Sequence, residues 1–418
     1  MQARLVTMVA VLLLAAFSES AMSQAASDKS LFWPQHHGPG RTNMSSDTGL
    51  LKRWPKSGPR KLWTYSPCGR GYSGVAIAEG MIFTAGDRDR QEQLIALDMD
   101  GNFIWKAPNG DAWRRSSPGS RATPTYSDGV LYHMNPTGRI AAYQSRSGKE
   151  LWAVDLKERF DATYGIWALS ENIIVDGGKV ICMPGGPTGR VVALDKNTGK
   201  TIWANTEIDD YAAYCSGTIV DYAGRRQLLT MTQRSVVGVA IDDGGLIWSA
   251  PFRPASPQNA LTPVFDDGNV FVACGHSSGG TLMKLDLPAR TASTVWHRQD
   301  LDDCHSGAML IDGRLYGSSC RTSGSTFYCV DFLTGKTIKT DETLGKVGIT
   351  CAEGMIYALN HQGTMYLLDL TDDGFEIVSQ FVIERKGANN YLAHPVVCGR
   401  RLYIRSHDDL HVYDIAAN

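Results

Sequence analysis

The most regular pattern in this chain is an apolar run, a polar turn, and a short strand closed by tryptophan. Residues 191–203 carry it in full as VVALDKNTGKTIW. Val191 to Leu194 suit a buried strand. Asp195, Asn197 and Gly199 supply the turn: Asp and Asn side chains bond nearby backbone N–H groups, and glycine accepts the positive φ of a bulged hairpin loop. Thr201 and Ile202 restart a strand, and Trp203 ends it. The order then recurs. Residues 95–98 lead through Gly101 to Trp105, Ala142 and Tyr143 through Gly148 to Trp152, and residues 239–242 through Gly244 to Trp248. Leu285 and Asp286 reach Trp296 by a longer turn. Residues 329–331 lead through Gly335 to Ile338, where the tryptophan is lost, and Leu368 and Asp369 lead through Gly374 to a degenerate strand.

Trp63, Trp105, Trp152, Trp203, Trp248 and Trp296 fall about 42 to 51 residues apart, the period of a four-stranded propeller blade. Each unit predicts a small-residue inner strand, a second strand after a tight turn such as Asp128-Gly129 or Asp312-Gly313, and the hairpin as strands three and four. Inner strands are expected at residues 73–78, 122–126, 170–175, 217–221, 261–265, 307–311, 347–351 and 393–397, which makes eight. The last unit has only three strands, whereas residues 60–65 carry Trp63 with no preceding blade. The expected fold is therefore all-β: one eight-bladed β-propeller of four-stranded blades over residues 61–418, its last blade closed by an N-terminal strand. Such closure leaves no raw edge. Residues 26–60 read as an irregular arm on the surface, rich in Pro and Gly, with the His36-His37 pair exposed and idle.

Composition narrows the setting. The 418 residues are 43% hydrophobic and 20% charged, with a net charge of −2, so no electrostatic case exists for nucleic acid or an anionic membrane surface. Arg4 followed by the apolar run Leu5 to Phe17, with small residues near position 25, reads as a signal peptide over residues 1–25. A periplasmic or secreted monomer without a transmembrane segment is the expectation. Nine cysteines leave an odd one over. Cys320 and Cys329 flank a loop between two strands and are the first pair to try as a disulfide, while buried unpaired cysteines are an equal alternative. With no C-x-x-C, no zinc or thioredoxin-like role is expected.

The pattern Ala-x-Asp-x-x-Thr-Gly-Lys-x-x-Trp, fullest at Ala193 to Trp203, resembles the pyrroloquinoline-quinone-like (PQQ-like) repeats of eight-bladed propellers. The resemblance runs from Lys61 to Asn418. It implies that the repeated tryptophans dock on neighbouring blades. One branch of that family comprises quinone- and calcium-dependent alcohol or sugar dehydrogenases, marked by a ring of two adjacent cysteines, which this chain lacks. The other branch is non-catalytic and includes the propeller lipoprotein of the outer-membrane β-barrel assembly machinery. This chain is similar to that branch in length and repeat economy, but carries no cysteine near the cleavage site for a lipid.

No Gly-x-Ser-x-Gly, HExxH or Walker loop is present, so no catalytic residue is assigned. Topology offers a binding site instead. The starts of the inner strands gather at one mouth of the channel and carry Tyr72, Arg121, Trp167, Tyr214, Asn259, His305 and His394. Arg121 suits a carboxylate or phosphate, the aromatic residues a planar or sugar ligand, and the histidines a proton. The same residues serve equally well as caps that bond carbonyls and water. Asp300, Asp302 and Asp303 beside His305 read as a solvated loop, and the doublets Arg114-Arg115, Arg225-Arg226 and Arg400-Arg401 as solvated surface. The expected function is an exported binding or scaffold protein for a small ligand or a protein partner, in outer-membrane protein assembly or elsewhere, without metal or cofactor. The alternative is a PQQ- and calcium-dependent dehydrogenase.

Overall fold

The computed structural model describes residues 31–320, 324–384 and 391–417, so the expected signal peptide lies outside the described residues. Eight sheets are formed, each with four propeller strands ordered from the channel outwards. The innermost strands are Ala76–Ala78, Thr125–Ser127, Ile174–Asp176, Thr218–Tyr222, Val264–Asp266, Met309–Ile311, Val347–Ala352 and Val396–Cys398, which number the blades one to eight. Blade eight takes its outer strand from Arg60–Tyr65, antiparallel to Asp409–Asp414 with Thr64 opposite His411. Helix is confined to Leu156–Phe160 among the described residues, capped by the Asp155 carboxylate at the N–H groups of Lys157 and Glu158.

The hairpin tryptophans bind blade to blade. The indole N–H of Trp63, Trp105, Trp152, Trp203 and Trp296 donates to the carbonyl of Met99, Ser145, Lys196, Ile241 and Phe332, each in the following blade. The turn glycine of that blade lies under the ring: a Cβ on Gly101, Gly148, Gly199, Gly244 or Gly335 would fall within 3.0 Å of it. Trp248 breaks the rule. The next blade has Asp286 to Arg290 in place of a Thr-Gly-Lys turn, so it offers no glycine bed, and Trp248 instead lies against Gly238 and donates to Gln227, both of its own blade, the latter at 2.8 Å.

Two expectations are corrected. The inner strands begin one to four residues later than expected in every blade but the seventh. Their first residues bond sideways rather than along the ladder: Gly74 N–H donates to Thr123 Oγ1, Thr123 N–H to Asn172 Oδ1, and Asn172 N–H to Ser216 Oγ, linking blades one to four. The arm, moreover, is not on the surface. Trp33 pairs with Ile77 of blade one, Pro34 accepts from Tyr126 of blade two, the chain turns where Asn43 N–H meets His37 O, and Met44–Ser45 returns parallel to Val347–Ala352. A hairpin thus occupies the channel itself. Arg41 at its tip is buried and donates to the carbonyls of Asn172, Ile173 and Gly217. The arm then packs Leu50 and Trp54 against Tyr357 and Phe381 before joining blade eight.

The disulfide expectation also changes. Cys304 is bonded to Cys320, while Cys329 is free and buried. Cys329 lies opposite Tyr316, four residues short of Cys320. At about 3.3 Å per residue that offset is roughly 13 Å, beyond the reach of a disulfide.

Candidate functional site

Because the arm fills one side of the channel, the other side is left as a cavity of about 400 Å³ at the mouth where the inner strands begin. Trp33, His36, His37 and Asn43 of the arm form one wall. Blades one to four supply Tyr72, Arg121, Trp167 and Tyr214, and blades six and eight supply His305 and His394. Trp167 and Tyr214 meet edge to face with centroids 5.5 Å apart, and the Tyr72 ring is held against His407 at 5.0 Å.

Six of the seven sequence-selected residues thus line one space. Asn259 does not: it is fully buried, and its amide donates to the carbonyl of Thr232 at 2.7 Å. Arg121 lines the wall but is not free to fork an anion. Its guanidinium donates to Trp167 O at 2.6 Å, Gly119 O at 2.9 Å, Ser117 O and Ser116 O at 3.0 Å. No parallel pair of N–H groups remains, and the residue is a clamp on the loops that carry Trp167. Burial also draws its pKa below the usual arginine value.

The histidines are more closely gathered than the sequence implied. His36 and His37 are not exposed and idle: their rings stack at 3.6 Å, and His394 stacks on His37 at 4.8 Å. His37 Nε2 lies 2.9 Å from His394 Nδ1, and Asn43 Nδ2 3.2 Å from the same atom. His394 Nε2 faces the carbonyl of His305 at 2.8 Å. His305 in turn meets His361 at 2.8 Å, Nε2 to Nε2. Burial first, then mutual repulsion among the histidines and repulsion from Arg41 or Lys346, holds His36, His37 and His305 well below the ordinary histidine range, and burial draws His361 down to about 4. Both effects disfavour the protonated form of these rings.

The loop that carries His305 is also unlike its expectation. Asp302 and Asp303 are fully buried, and Asp300 alone is exposed. Asp303 accepts from the N–H groups of Ser306 at 3.0 Å and Ser318 at 3.2 Å, and from the hydroxyl of Tyr328 at 3.2 Å. Those bonds offset the cost of burial, though burial still raises its pKa. With Cys304 bonded to Cys320, the loop is pinned on both flanks of His305. The arm residues escaped sequence reasoning because nothing local marks a proline-rich segment as a channel filler. The one signal was the His36-His37 doublet itself.

Comparison with known proteins places this geometry among relatives. The family model described as outer membrane protein assembly factor BamB matches residues 107–341. A 1-butanol dehydrogenase (cytochrome c) of Thauera butanivorans is 38% identical over 102 residues, which cover 24% of this chain and 14% of the relative. The chain thus matches only a small part of that enzyme's length. Among solved structures, BamB from Moraxella catarrhalis superposes with a TM-score of 0.58 at 17% identity, over 86% of this chain and 98% of that one. A quinohemoprotein alcohol dehydrogenase from Comamonas testosteroni gives 0.63 at 12% identity, over 94% and 82%. Likenesses this distant show the fold alone.

Proposed function

Since the chain belongs to the PQQ-like repeat family described as outer membrane protein assembly factor BamB, we propose that it is an extracytoplasmic, non-catalytic binding protein whose channel-mouth cavity takes a small planar or sugar ligand. The observation that carries this reading is the cavity of about 400 Å³ bounded by Trp167, Tyr214 and Tyr72, the size and lining typical of a small-molecule site. The Trp167 edge-to-face contact holds its ring in place before a ligand arrives, which reduces the ordering cost of binding.

The dehydrogenase reading is supported by the short sequence matches and opposed by the donor set. Calcium takes six to eight oxygen ligands, chiefly carboxylates, yet among the described residues no Asp or Glu lines the cavity. The disulfide at the wall joins residues 16 apart, not neighbours, and Arg121 is occupied by carbonyls. These residues do not fit quinone with calcium. A protein-scaffold reading rests on a different feature. Ile104, Leu151, Ile202 and Val295, each immediately before a docking tryptophan, stand 40–50% exposed around the outer rim.

The test is a thermal-shift and calorimetric screen of planar aromatics and pyranoses against the purified chain, repeated with Trp167→Ala. Because Arg121 bonds the backbone carbonyl of Trp167, that variant keeps the clamp and should keep the fold. A compound that stabilises the wild type and not the variant supports the cavity reading. A screen without hits, alongside a protein partner crosslinked through the rim, would replace it with the scaffold.

A further inference from the structure

From the convergence of three imidazoles on one wall of the cavity, we propose that His36, His37 and His394 bind a single divalent ion of the zinc class, with its remaining coordination position turned to the cavity. Each histidine offers one ring nitrogen, and the three lie within 4.8 Å of one another. Zinc–imidazole bonds of about 2.0–2.1 Å in a tetrahedron place their nitrogens roughly 3.3 Å apart. The His37–His394 separation of 2.9 Å therefore needs to open by only a few tenths of an ångström.

The outer contacts already fix one ligand. The His305 carbonyl can only accept, so His394 Nε2, 2.8 Å away, carries the proton and Nδ1 presents its lone pair inwards. A backbone carbonyl behind the far nitrogen is the usual support of a metal-binding histidine. In the metal-free chain His37 Nε2 and Asn43 Nδ2 both approach His394 Nδ1; the ion takes the place of the His37 hydrogen, His37 carries its proton on Nδ1, and the Asn43 amide keeps its bond to Ile349 O. Donor chemistry selects the ion. Imidazoles suit zinc, copper and nickel, whereas the lack of carboxylates in the wall disfavours calcium and magnesium. The Arg41 charge opposes a cation here, but it is offset by the Glu171 carboxyl and its guanidinium is held by three carbonyls.

The experiment uses the full mature chain without a histidine tag, stripped with chelator. Zinc is titrated calorimetrically, and cobalt is read by its visible absorption. One ion per chain is expected. His394→Ala and His36→Ala should each weaken zinc by more than the roughly 10- to 100-fold typical of outer-contact changes. His276→Ala, which lines the cavity but bonds Gln258 away from the cluster, should bind zinc as the wild type does. His36 is only half-buried, so its variant remains informative if His394→Ala fails to fold. No stoichiometric binding of zinc or copper by the wild type, or equal binding by a folded His36→Ala, overturns the proposal. Zinc binding in a chain that takes no planar ligand would uphold this site and remove the preceding reading.

Discussion

Gly129 and Gly199 both hold positive φ, +80° and +67°, but they differ in what surrounds them. Nothing lies within 4 Å of a Cβ built on Gly129, whereas one on Gly199 would stand 2.7 Å from the Trp152 ring. Gly129→Ala should therefore cost about 1 kcal/mol, from backbone strain alone. Gly199→Ala should cost about 1–3 kcal/mol more, because the ring must leave its bed. Urea denaturation of the two variants checks the difference; equal losses would mean the docking contact is soft. A second single-residue effect concerns His407. Burial, then Arg405 and Arg70, lowers its pKa to about 4, against an ordinary histidine value near 6.5. Above about pH 6.5 the ring is neutral in both folded and unfolded chains, so it leaves stability unchanged. As pH falls from about 6.5 to about 4, only the unfolded chain takes up the proton, and stability is lost across that window. His407→Gln should lose less stability between pH 7 and pH 5 than the wild type does. Asp87, raised to about 8 chiefly by burial, acts in the opposite sense and is present in both proteins.

At the scale of elements, the arm hairpin is where sequence reading and structure part. Its two sides pair with the blades over only one or two residues each, and several of its buried residues (His37, Arg41 and Asn43) are polar, so a hydrophobic pattern could not reveal it. Its anchoring is polar. Arg41 reaches across the channel to blades three and four, and Asn43 donates to Ile349 O of blade seven at 2.6 Å. Arg41→Ala leaves those carbonyls unpaired in a buried place and should destabilise by about 2–4 kcal/mol, measured by denaturant midpoint. It should also push the Glu171 carboxyl further above its present value of about 7, because the guanidinium charge that favours the ionised form is gone. An unchanged midpoint would show that the tip of the arm is not what holds it. The hairpins of the blades were legible for the opposite reason. Their turn, their glycine and their tryptophan fall within one short window, and the contact each makes repeats in the next unit. The Trp248 exception was written in the same window, in the missing glycine of the blade that follows, although only coordinates revealed Gln227 as the substitute partner. The Cys304–Cys320 pairing was hidden because it depends on how loops fold over the mouth rather than on strand order.

For the whole molecule, the decisive feature is that the ring is shut without a covalent bond. Counting strands was enough to foresee it: seven complete units, one unit short by a strand, and one strand without a unit can close in a single way. The seam between Arg60–Tyr65 and Asp409–Asp414 then carries a load that the other blades share with their connecting turns. Trp63 repeats the docking contact across it, donating to Met99 of blade one. Thr64 and His411 are direct partners in this seam, 347 residues apart in sequence, with Thr64 Oγ1 at 2.9 Å from His411 Nδ1. Opposed residues in an antiparallel pair have Cα atoms about 4.5–5.5 Å apart, inside the range that a disulfide spans. The double variant Thr64→Cys, His411→Cys would therefore close a loop covering most of the chain, and the entropic limit of its stabilisation is about 6 kcal/mol. The oxidised double variant should unfold at a higher denaturant concentration than its reduced form. Reduction also opens Cys304–Cys320, so the wild type, oxidised and reduced, supplies the difference to subtract. A residual gain near zero would mean that opening begins elsewhere in the ring, and that the seam is as secure as any turn-linked blade.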